Sequence, residues 1–378
     1  MTTPKPSLHL DVNQFLSHHW QKKPLLIKAA IANFSPPILA EELAGLAMES
    51  EVESRIIETC DSNWQLHHGP FDEQDFNRDM PWTLLVQAVD HFVPEVAKLR
   101  QLLDFIPSWR IDDIMVSYAS DGGSVGPHYD NYDVFLLQGE GQRRWQLGQL
   151  CDHHSALLDN PDLRILEAFE CNQEYLLSTG DILYIPPGIA HWGVALNDCT
   201  TFSLGFRAPR VNDMLSRQTD EILETIDSEL FYTDANIPTG RLSGEICEAD
   251  LERAREQITK ATSTHQSSQW FGELVTEPRC SQDIDQNQLL EYRALLAAGP
   301  SSIRVSASAK LAWRHCEAFL EIYANGITLK CELEALDMVI TLCQGSHLAG
   351  TVLSGGLNNP PHRELLEELL DRNCLIVE

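Results

Sequence analysis

The sequence contains few positive charges for its length. Its 378 residues include 27 Lys and Arg against 56 Asp and Glu, which gives a formal net charge of −29. Because phosphate backbones are bound by clustered Lys and Arg, this balance argues against nucleic acid as a direct partner. An acidic chain attracts basic partners by long-range steering, and the alternative is an acidic surface that serves solubility alone.

Two further patterns are missing. The ten Cys include no Cys-x-x-Cys pair, which disfavours a zinc ribbon, and their scatter does not suggest a disulfide framework. No apolar run approaches the length of a membrane span, and residues 1–6 lack a signal-peptide pattern. We therefore expect a cytoplasmic protein without membrane contact. Its length predicts two or three domains.

The segment Gly126–Asp133 carries the clearest chemical signal. In an extended strand, His128 and Asp130 would point to the same face. His191, which follows a Pro-Pro-Gly turn some sixty residues later, could add a second imidazole. Two His and one carboxylate on one side of an ion form the facial triad of non-haem Fe(II) oxygenases. The sequence therefore predicts a metal site made of these three residues.

The chain around this segment is predicted to form an antiparallel barrel or double-sheet roll. Short strands separated by Gly and Pro turns follow one another from about Ile111 to Phe206. Before Ile111, apolar stripes at helical spacing predict helices over Pro81–His91 and Val93–Asp104, and Phe15–Ile27 resembles a short helix that runs into a strand.

The chain changes character after Arg207. Amphipathic helices are predicted over 212–229 and 248–262. Further on, Asn325-Gly326 between two apolar runs predicts a tight hairpin, with helices on either side in an order that resembles a winged helix. Residues 290–378 hold seven Lys and Arg against eleven Asp and Glu, so a DNA-reading wing is not expected.

Several motifs in the right order resemble one family. They are Gly-Pro-His128-x-Asp130, Gly-x-x-Arg143-Arg144-Trp145, the Gly-Asp-x-Leu-Tyr-Ile-Pro-Pro-Gly segment with His191, and the closing Ser203–Arg207. Together they resemble a JmjC-domain 2-oxoglutarate oxygenase. The Phe15–Ile27 entry and the long C-terminal part are similar to the bacterial ribosomal oxygenases, which hydroxylate an arginine of a large-subunit ribosomal protein.

The resemblance implies a cofactor set and residue roles. Fe(II) would be held by the triad, and 2-oxoglutarate and O2 would be consumed, with succinate and CO2 released. Arg143 matches the family's basic residue, and its guanidinium suits the far carboxylate of 2-oxoglutarate. Arg144 should point to the other face of the strand. Ser203 could donate to the same carboxylate, or could be an ordinary strand serine.

Other residues allow either a functional or a purely structural role. Asp121, in a turn expected near His128, could pair with a substrate guanidinium, but Asp before Gly is also a common turn residue. Four aromatic residues could wall the site from water or could simply be core: Trp145, Tyr184, Trp192 and Phe206. The cluster Asp152-His153-His154 fits solvated surface better than a second metal site.

The expected architecture is α+β. A double-stranded β-helix, the JmjC or cupin-like jelly roll, would span residues 1–208, a helical dimerisation module 209–285, and a winged-helix-like domain 286–378. The expected partners are a basic ribosomal protein and a second copy of the chain. The alternatives are a JmjC-type histidine hydroxylase or lysine demethylase, or a cupin that binds metal without oxygenase activity.

Overall fold

The computed structural model describes residues 8–378 except 61–62, 161, 236, 238, 265–266, 268, 279–284 and 346. No helix within these residues is long and apolar enough to cross a membrane.

Within the described part of residues 8–206, eleven strands build two antiparallel sheets. In chain order they are β1 (Leu25–Ile27), β2 (Ser54–Cys60), β3 (Asn63–His68), β4 (Trp82–Val86), β5 (Ile111–Ala119), β6 (Val134–Gln138), β7 (Gln142–Leu150), β8 (Gln173–Ser178), β9 (Ile182–Ile185), β10 (Ile189–Ala195) and β11 (Cys199–Phe206). The larger sheet has the order β1-β9-β6-β11-β5-β4-β2-β3, and the smaller one has the order β10-β7-β8. The two sheets face each other as a jelly roll, which confirms the predicted double-sheet architecture.

Alternation along β11 shows how the two faces of the larger sheet are used. Phe202 and Leu204 are buried in the main core, on the outer face. Their neighbour Ser203 points into the roll, since successive strand residues face opposite ways. Helices α1 (Val12–His18), α2 (Ala40–Ala47), α3 (Val89–Phe92) and α4 (Pro94–Ala97), and 3₁₀ turns at Glu73–Phe76, Lys98–Leu103 and Ser108–Arg110, complete the first half of the chain. A second apolar cluster that includes Leu136 and Trp145 fills the space between the sheets.

The rest of the chain forms helices and two small sheets. The helices are α5 (Val211–Thr225), α6 (Glu248–Thr264), α7 (Gln269–Thr276), α8 (Gln286–Ala298), α9 (Leu336–Cys343), α10 (Gly350–Asn358) and α11 (Pro360–Asp371), with a 3₁₀ turn at Leu333–Ala335. The strands are β12 (Ser302–Val305), β13 (Leu311–His315), β14 (Leu320–Ala324), β15 (Ile327–Cys331), β16 (Leu348–Ala349) and β17 (Leu375–Val377). They pair in the orders β16-β12-β17 and β13-β14-β15, over an apolar core separate from that of the roll.

The C-terminal part is attached to the roll by buried polar contacts. Lys310, which is 6% exposed, donates its Nζ protons to the carbonyls of Ile111 and Asp112 at the start of β5. Arg207 donates to the carbonyl of Val275 in α7 over 2.9 Å. Removing either side chain would leave the carbonyls that it reaches without their donor, so these contacts help to fix the C-terminal part to the roll.

Two of the predicted elements are wrong. Pro81–His91 was predicted as one helix, but Trp82–Val86 is the fully buried strand β4, followed by the short helix α3. The strand predicted at the end of Phe15–Ile27 is β1, but no other strand was predicted before Ile111, whereas β2, β3 and β4 precede that point. The hairpin at Asn325-Gly326 is confirmed, since both residues have positive φ, 47° and 82°.

Candidate active site

The three predicted metal ligands meet at one point. One ligand atom from each of His128, Asp130 and His191 lies within 4.8 Å of the others. The two imidazole rings are 4.2 Å apart between centroids, and Nε2 of His191 is 3.7 Å from Oδ2 of Asp130. Within the described residues, this is the one group of three or more such side chains. Asp152, His153 and His154 are exposed, as predicted for solvated surface.

The backbone around the ligands differs from the prediction. His128 and Asp130 were placed on a strand, but the segment is irregular and only His128 pairs, as an isolated antiparallel bridge with His191. The bridge has both backbone hydrogen bonds, at 3.0 and 2.8 Å. The carbonyl of Asp130 accepts from the amide of Gly188 over 2.8 Å. Backbone pairing with the Pro-Pro-Gly turn, rather than strand alternation, therefore brings the carboxylate beside the imidazoles.

Both imidazoles are oriented to present Nε2. Nδ1 of His128 lies 2.9 Å from the carbonyl of Gly126, and Nδ1 of His191 lies 2.9 Å from the carbonyl of Ile189. A carbonyl only accepts, so each Nδ1 donates a proton to it and Nε2 is the ring nitrogen left to face the site. Burial, with a smaller contribution from His128, lowers the pKa of His191 to about 4. The ring is thus held in the neutral form that a metal requires.

Arg143 lies inside the roll with most of its donors unused. Its side chain is 5% exposed, and Nη1 lies 3.4 Å from Oγ of Ser117 on β5. Nε and Nη2 are buried and have no partner among the described residues. A buried guanidinium with free donors is costly unless an anion completes it, and a carboxylate fits its planar fork. Arg144 is only half-buried, as alternation on β7 predicts.

The register of β7 and β10 orders these groups along one ladder. His191 pairs with Leu147, Gly193 with Trp145, and Ala195 with Arg143. Arg143 is therefore about 13 Å along the ladder from the metal ligands, at about 3.3 Å per residue. An extended dicarboxylate that reaches from the metal toward a long arginine side chain fits this separation.

The other predicted residues lie on different faces of the two sheets. Ser203 is half-buried on the inward face of β11, two residues along the strand from Thr201, which pairs with Ser117. Trp145 is 5.9 Å from the His191 ring, and Trp192 packs beside Phe169. Tyr184 and Phe206 instead belong to the core on the outer face. Ser117 was not predicted, because its contact with Arg143 depends on the pairing of distant strands.

Asp121 lies farther from the ligands than predicted. It is exposed, in the turn after β5, and the next residue, Gly122, donates to the carbonyl of Ala195 over 3.0 Å. His128 pairs with His191, whereas Gly122 contacts Ala195, four residues further along β10. At about 3.3 Å per residue, the turn is therefore about 13 Å from His128, measured along β10.

The two-sheet roll and the triad at its edge define the class of protein. The JmjC domain family matches residues 98–214, which include all the ligands and Arg143. The chain is 40% identical to the ribosomal protein uL16 3-hydroxylase of Escherichia coli over 284 residues, 73% of this chain and 74% of that protein. It is 33% identical to a probable ribosomal oxygenase of Haemophilus influenzae over 97% of this chain and 94% of the relative.

The same likeness extends to a solved structure. The Escherichia coli ribosomal oxygenase YcfD in complex with cobalt and 2-oxoglutarate superposes with a TM-score of 0.82 at 33% identity, over 99% of both chains. The chain belongs to the bacterial ribosomal oxygenase family of JmjC-domain proteins.

Proposed function

We propose that this protein is an Fe(II)- and 2-oxoglutarate-dependent hydroxylase that acts on an arginine side chain of a large-subunit ribosomal protein. The observation that carries the proposal is the buried guanidinium of Arg143, which has two unpartnered donor atoms on the same ladder as the His-Asp-His group. A cupin that only binds metal needs no buried cation beside it. The arginine therefore favours the oxygenase over that alternative.

The residues present fit both groups. His128, Asp130 and His191 would hold the iron, and two imidazoles with a single carboxylate are the donor set that non-haem Fe(II) uses. Arg143 would hold the far carboxylate of 2-oxoglutarate, with Ser117 fixing the guanidinium and Ser203 as a further donor on β11. When bound, iron and 2-oxoglutarate would supply the oxidising chemistry: 2-oxoglutarate would be converted to succinate and CO2, with one oxygen atom of O2 entering succinate and the other a C–H bond of the substrate.

A loop that follows β7 shields the ligands. Leu166 is buried, and its amide donates to the carbonyl of Pro127 over 2.8 Å. The neighbouring Ile165 is 1% exposed and lies against Gly126, where an added Cβ would come within 3.2 Å of it. Apolar side chains therefore cover the segment that carries His128, and they exclude water from that side of the site.

The substrate side of the proposal depends on charge and on the relatives. The net charge of −29 favours a basic ribosomal protein, whose modification would take place in the cytoplasm. Asp121 is exposed, so its carboxylate is open to a substrate guanidinium. The test is mass spectrometry of an arginine-bearing peptide from the uL16 homologue after incubation with the protein, Fe(II) and 2-oxoglutarate. A gain of one oxygen atom on arginine is expected.

Matched peptides test the choice of side chain. In these, the arginine is replaced by histidine or by methylated lysine. Oxidation of histidine or demethylation of lysine, with arginine untouched, would replace the proposed target by one of the related JmjC activities. No oxidation of any peptide, with no turnover of 2-oxoglutarate, would favour the metal-binding cupin.

We also propose the domain division 1–208, 209–285 and 286–378, with the middle segment as a dimerisation module and the last as winged-helix-like. Exposed apolar residues on α5 and α6 support a self-association surface: Val211, Leu215, Leu223, Leu251 and Ile258 are 43–66% exposed. Burying such side chains contributes roughly 1.5–3 kcal/mol each. Leu215→Glu with Leu223→Glu should convert a dimer to a monomer in light scattering, whereas Leu290→Glu on α8 should not. A dimer that survives the double change would place the interface elsewhere.

A further inference from the structure

Trp145 occupies the middle of the ladder between the metal ligands and Arg143. It pairs with Gly193, two residues from His191 on β10 and two residues from Arg143 on β7. Side chains two apart on a strand share a face, so Trp145 points into the roll as Arg143 does. Its ring is 5.9 Å from the His191 ring and 5.7 Å from Cζ of Arg143. The indole therefore flanks the path between the two anchoring ends.

Gly193 sets the orientation of this ring. A Cβ at that position would lie 2.8 Å from Cζ3 and Cη2 of the indole, so the benzo edge is seated against the bare backbone. The pyrrole edge, which carries Nε1, is on the other side of the ring. Any larger residue at 193 would push the indole away from β10.

The indole N–H has no acceptor in the part of the chain that the structure describes. Trp145 is 4% exposed, and Nε1 is buried without a hydrogen-bond partner among the described residues. Trp192 shows the contrasting case, because its Nε1 donates to Oγ of Ser124 over 2.8 Å. Buried indole N–H groups usually find a partner, and one left unsatisfied is destabilising. An unsatisfied donor beside two free donors of Arg143 points to a ligand that brings several oxygens.

We propose that the indole N–H of Trp145 donates a hydrogen bond to a carboxylate oxygen of bound 2-oxoglutarate, and so positions the co-substrate between the metal and Arg143. This inference rests on the proposed function and adds a third kind of donor to it. A tryptophan that served only as core would pack equally well with its N–H replaced by carbon, and would be indifferent to the co-substrate.

The first test compares two Trp→Phe variants of the full chain loaded with Zn(II), which supports binding without turnover. Trp145→Phe keeps an aromatic ring and removes the N–H. Trp313→Phe is the matched control, on strand β13 of the C-terminal part and 36% exposed. Calorimetric titration should give a 2-oxoglutarate Kd about ten- to a hundredfold weaker for Trp145→Phe, the range for one hydrogen bond to a charged group, and an unchanged Kd for the control. Zinc affinity should be the same in both.

The second test observes the N–H itself. In the parent chain labelled with ¹⁵N-indole, the resonance missing from Trp145→Phe belongs to Trp145. Addition of 2-oxoglutarate should move it downfield and slow its exchange with water. If Trp145→Phe does not fold, Gly193→Ala serves as the second variant, since it displaces the ring and keeps every polar group. It should weaken 2-oxoglutarate and leave zinc bound.

The outcomes separate this inference from the function on which it rests. Unchanged 2-oxoglutarate affinity in Trp145→Phe, or an N–H resonance that ignores a bound co-substrate, overturns the role of Trp145 alone. Failure of the zinc-loaded parent to bind 2-oxoglutarate at all overturns the proposed function as well.

Discussion

Replacement of Arg143 is the sharpest test of the co-substrate site. Among the described residues the guanidinium has one weak hydrogen bond, 3.4 Å to Ser117, which leaves Nε and Nη2 for a ligand. Arg143→Lys keeps the charge and loses the planar fork, so one of two charge-assisted hydrogen bonds is lost. Such a bond is worth roughly 1.5–3 kcal/mol, which weakens 2-oxoglutarate binding by about ten- to a hundredfold.

Arg143→Ala should cost more, because it also leaves the carboxylate facing an apolar wall. Neither change should alter metal affinity, since Arg143 is not a ligand. The assay is titration of 2-oxoglutarate into the Mn(II)-loaded protein, with metal content measured alongside. Arg144→Ala is the matched control, on the same strand but the opposite face. If Arg143→Ala binds the co-substrate as well as the parent does, the clamp is wrong; loss of binding in Arg144→Ala would instead mean that β7 is shifted by one residue.

Three further predictions follow from the site and its surroundings. His128→Ala should abolish metal binding, measured by metal content, and 2-oxoglutarate turnover, whereas His154→Ala on the exposed loop should keep both; full activity in His128→Ala would refute the metal assignment. Asp121→Ala should raise KM for an arginine peptide more than it changes uncoupled 2-oxoglutarate decarboxylation, and rising salt should weaken the parent in the same way; equal effects on both rates would remove Asp121 from substrate binding. Burial, opposed by Asp90, lowers the pKa of His91 from its ordinary 6.5 to about 4. The folded state therefore favours the neutral ring, and the stability that this ring contributes is complete above pH 6.5 and is lost as the pH falls toward 4. The loss is at most about 3 kcal/mol, and His91→Gln should flatten this part of the curve of unfolding free energy against pH.

The sequence was sufficient for features that depend on local pattern. The Asn325-Gly326 hairpin has the positive φ angles that its dipeptide predicts. The alternation of Arg143 and Arg144 on β7 also needs only the two-residue period of a strand. Strand β4 could not be distinguished in this way, because Trp82–Val86 is buried on both faces and a short continuous apolar run fits a helix equally well.

Features that depend on the pairing of distant segments were missed or misplaced. The contact of Ser117 with Arg143 requires the roll to close, since the two residues are 26 positions apart. Asp121 was placed near His128 by its closeness in sequence, whereas the backbone runs away from the ligands between them. The unpartnered N–H of Trp145 is likewise invisible until its surroundings are assembled.

The two halves of the proposed site are supported by different kinds of backbone. The metal ligands depend on turns: Gly126 and Gly188 have φ of 82° and 80°, and a Cβ at either would come within 3.0 Å of a neighbouring segment. Non-glycine residues rarely adopt this conformation, so the Gly-Pro-His and Pro-Pro-Gly motifs are required by the backbone that presents the imidazoles. The co-substrate groups stand instead on the regular strand β7, at positions 143 and 145. Changes in the turns should therefore weaken metal and co-substrate binding together. Side-chain changes at positions 143 and 145 of β7 should instead weaken co-substrate binding and leave metal affinity unchanged.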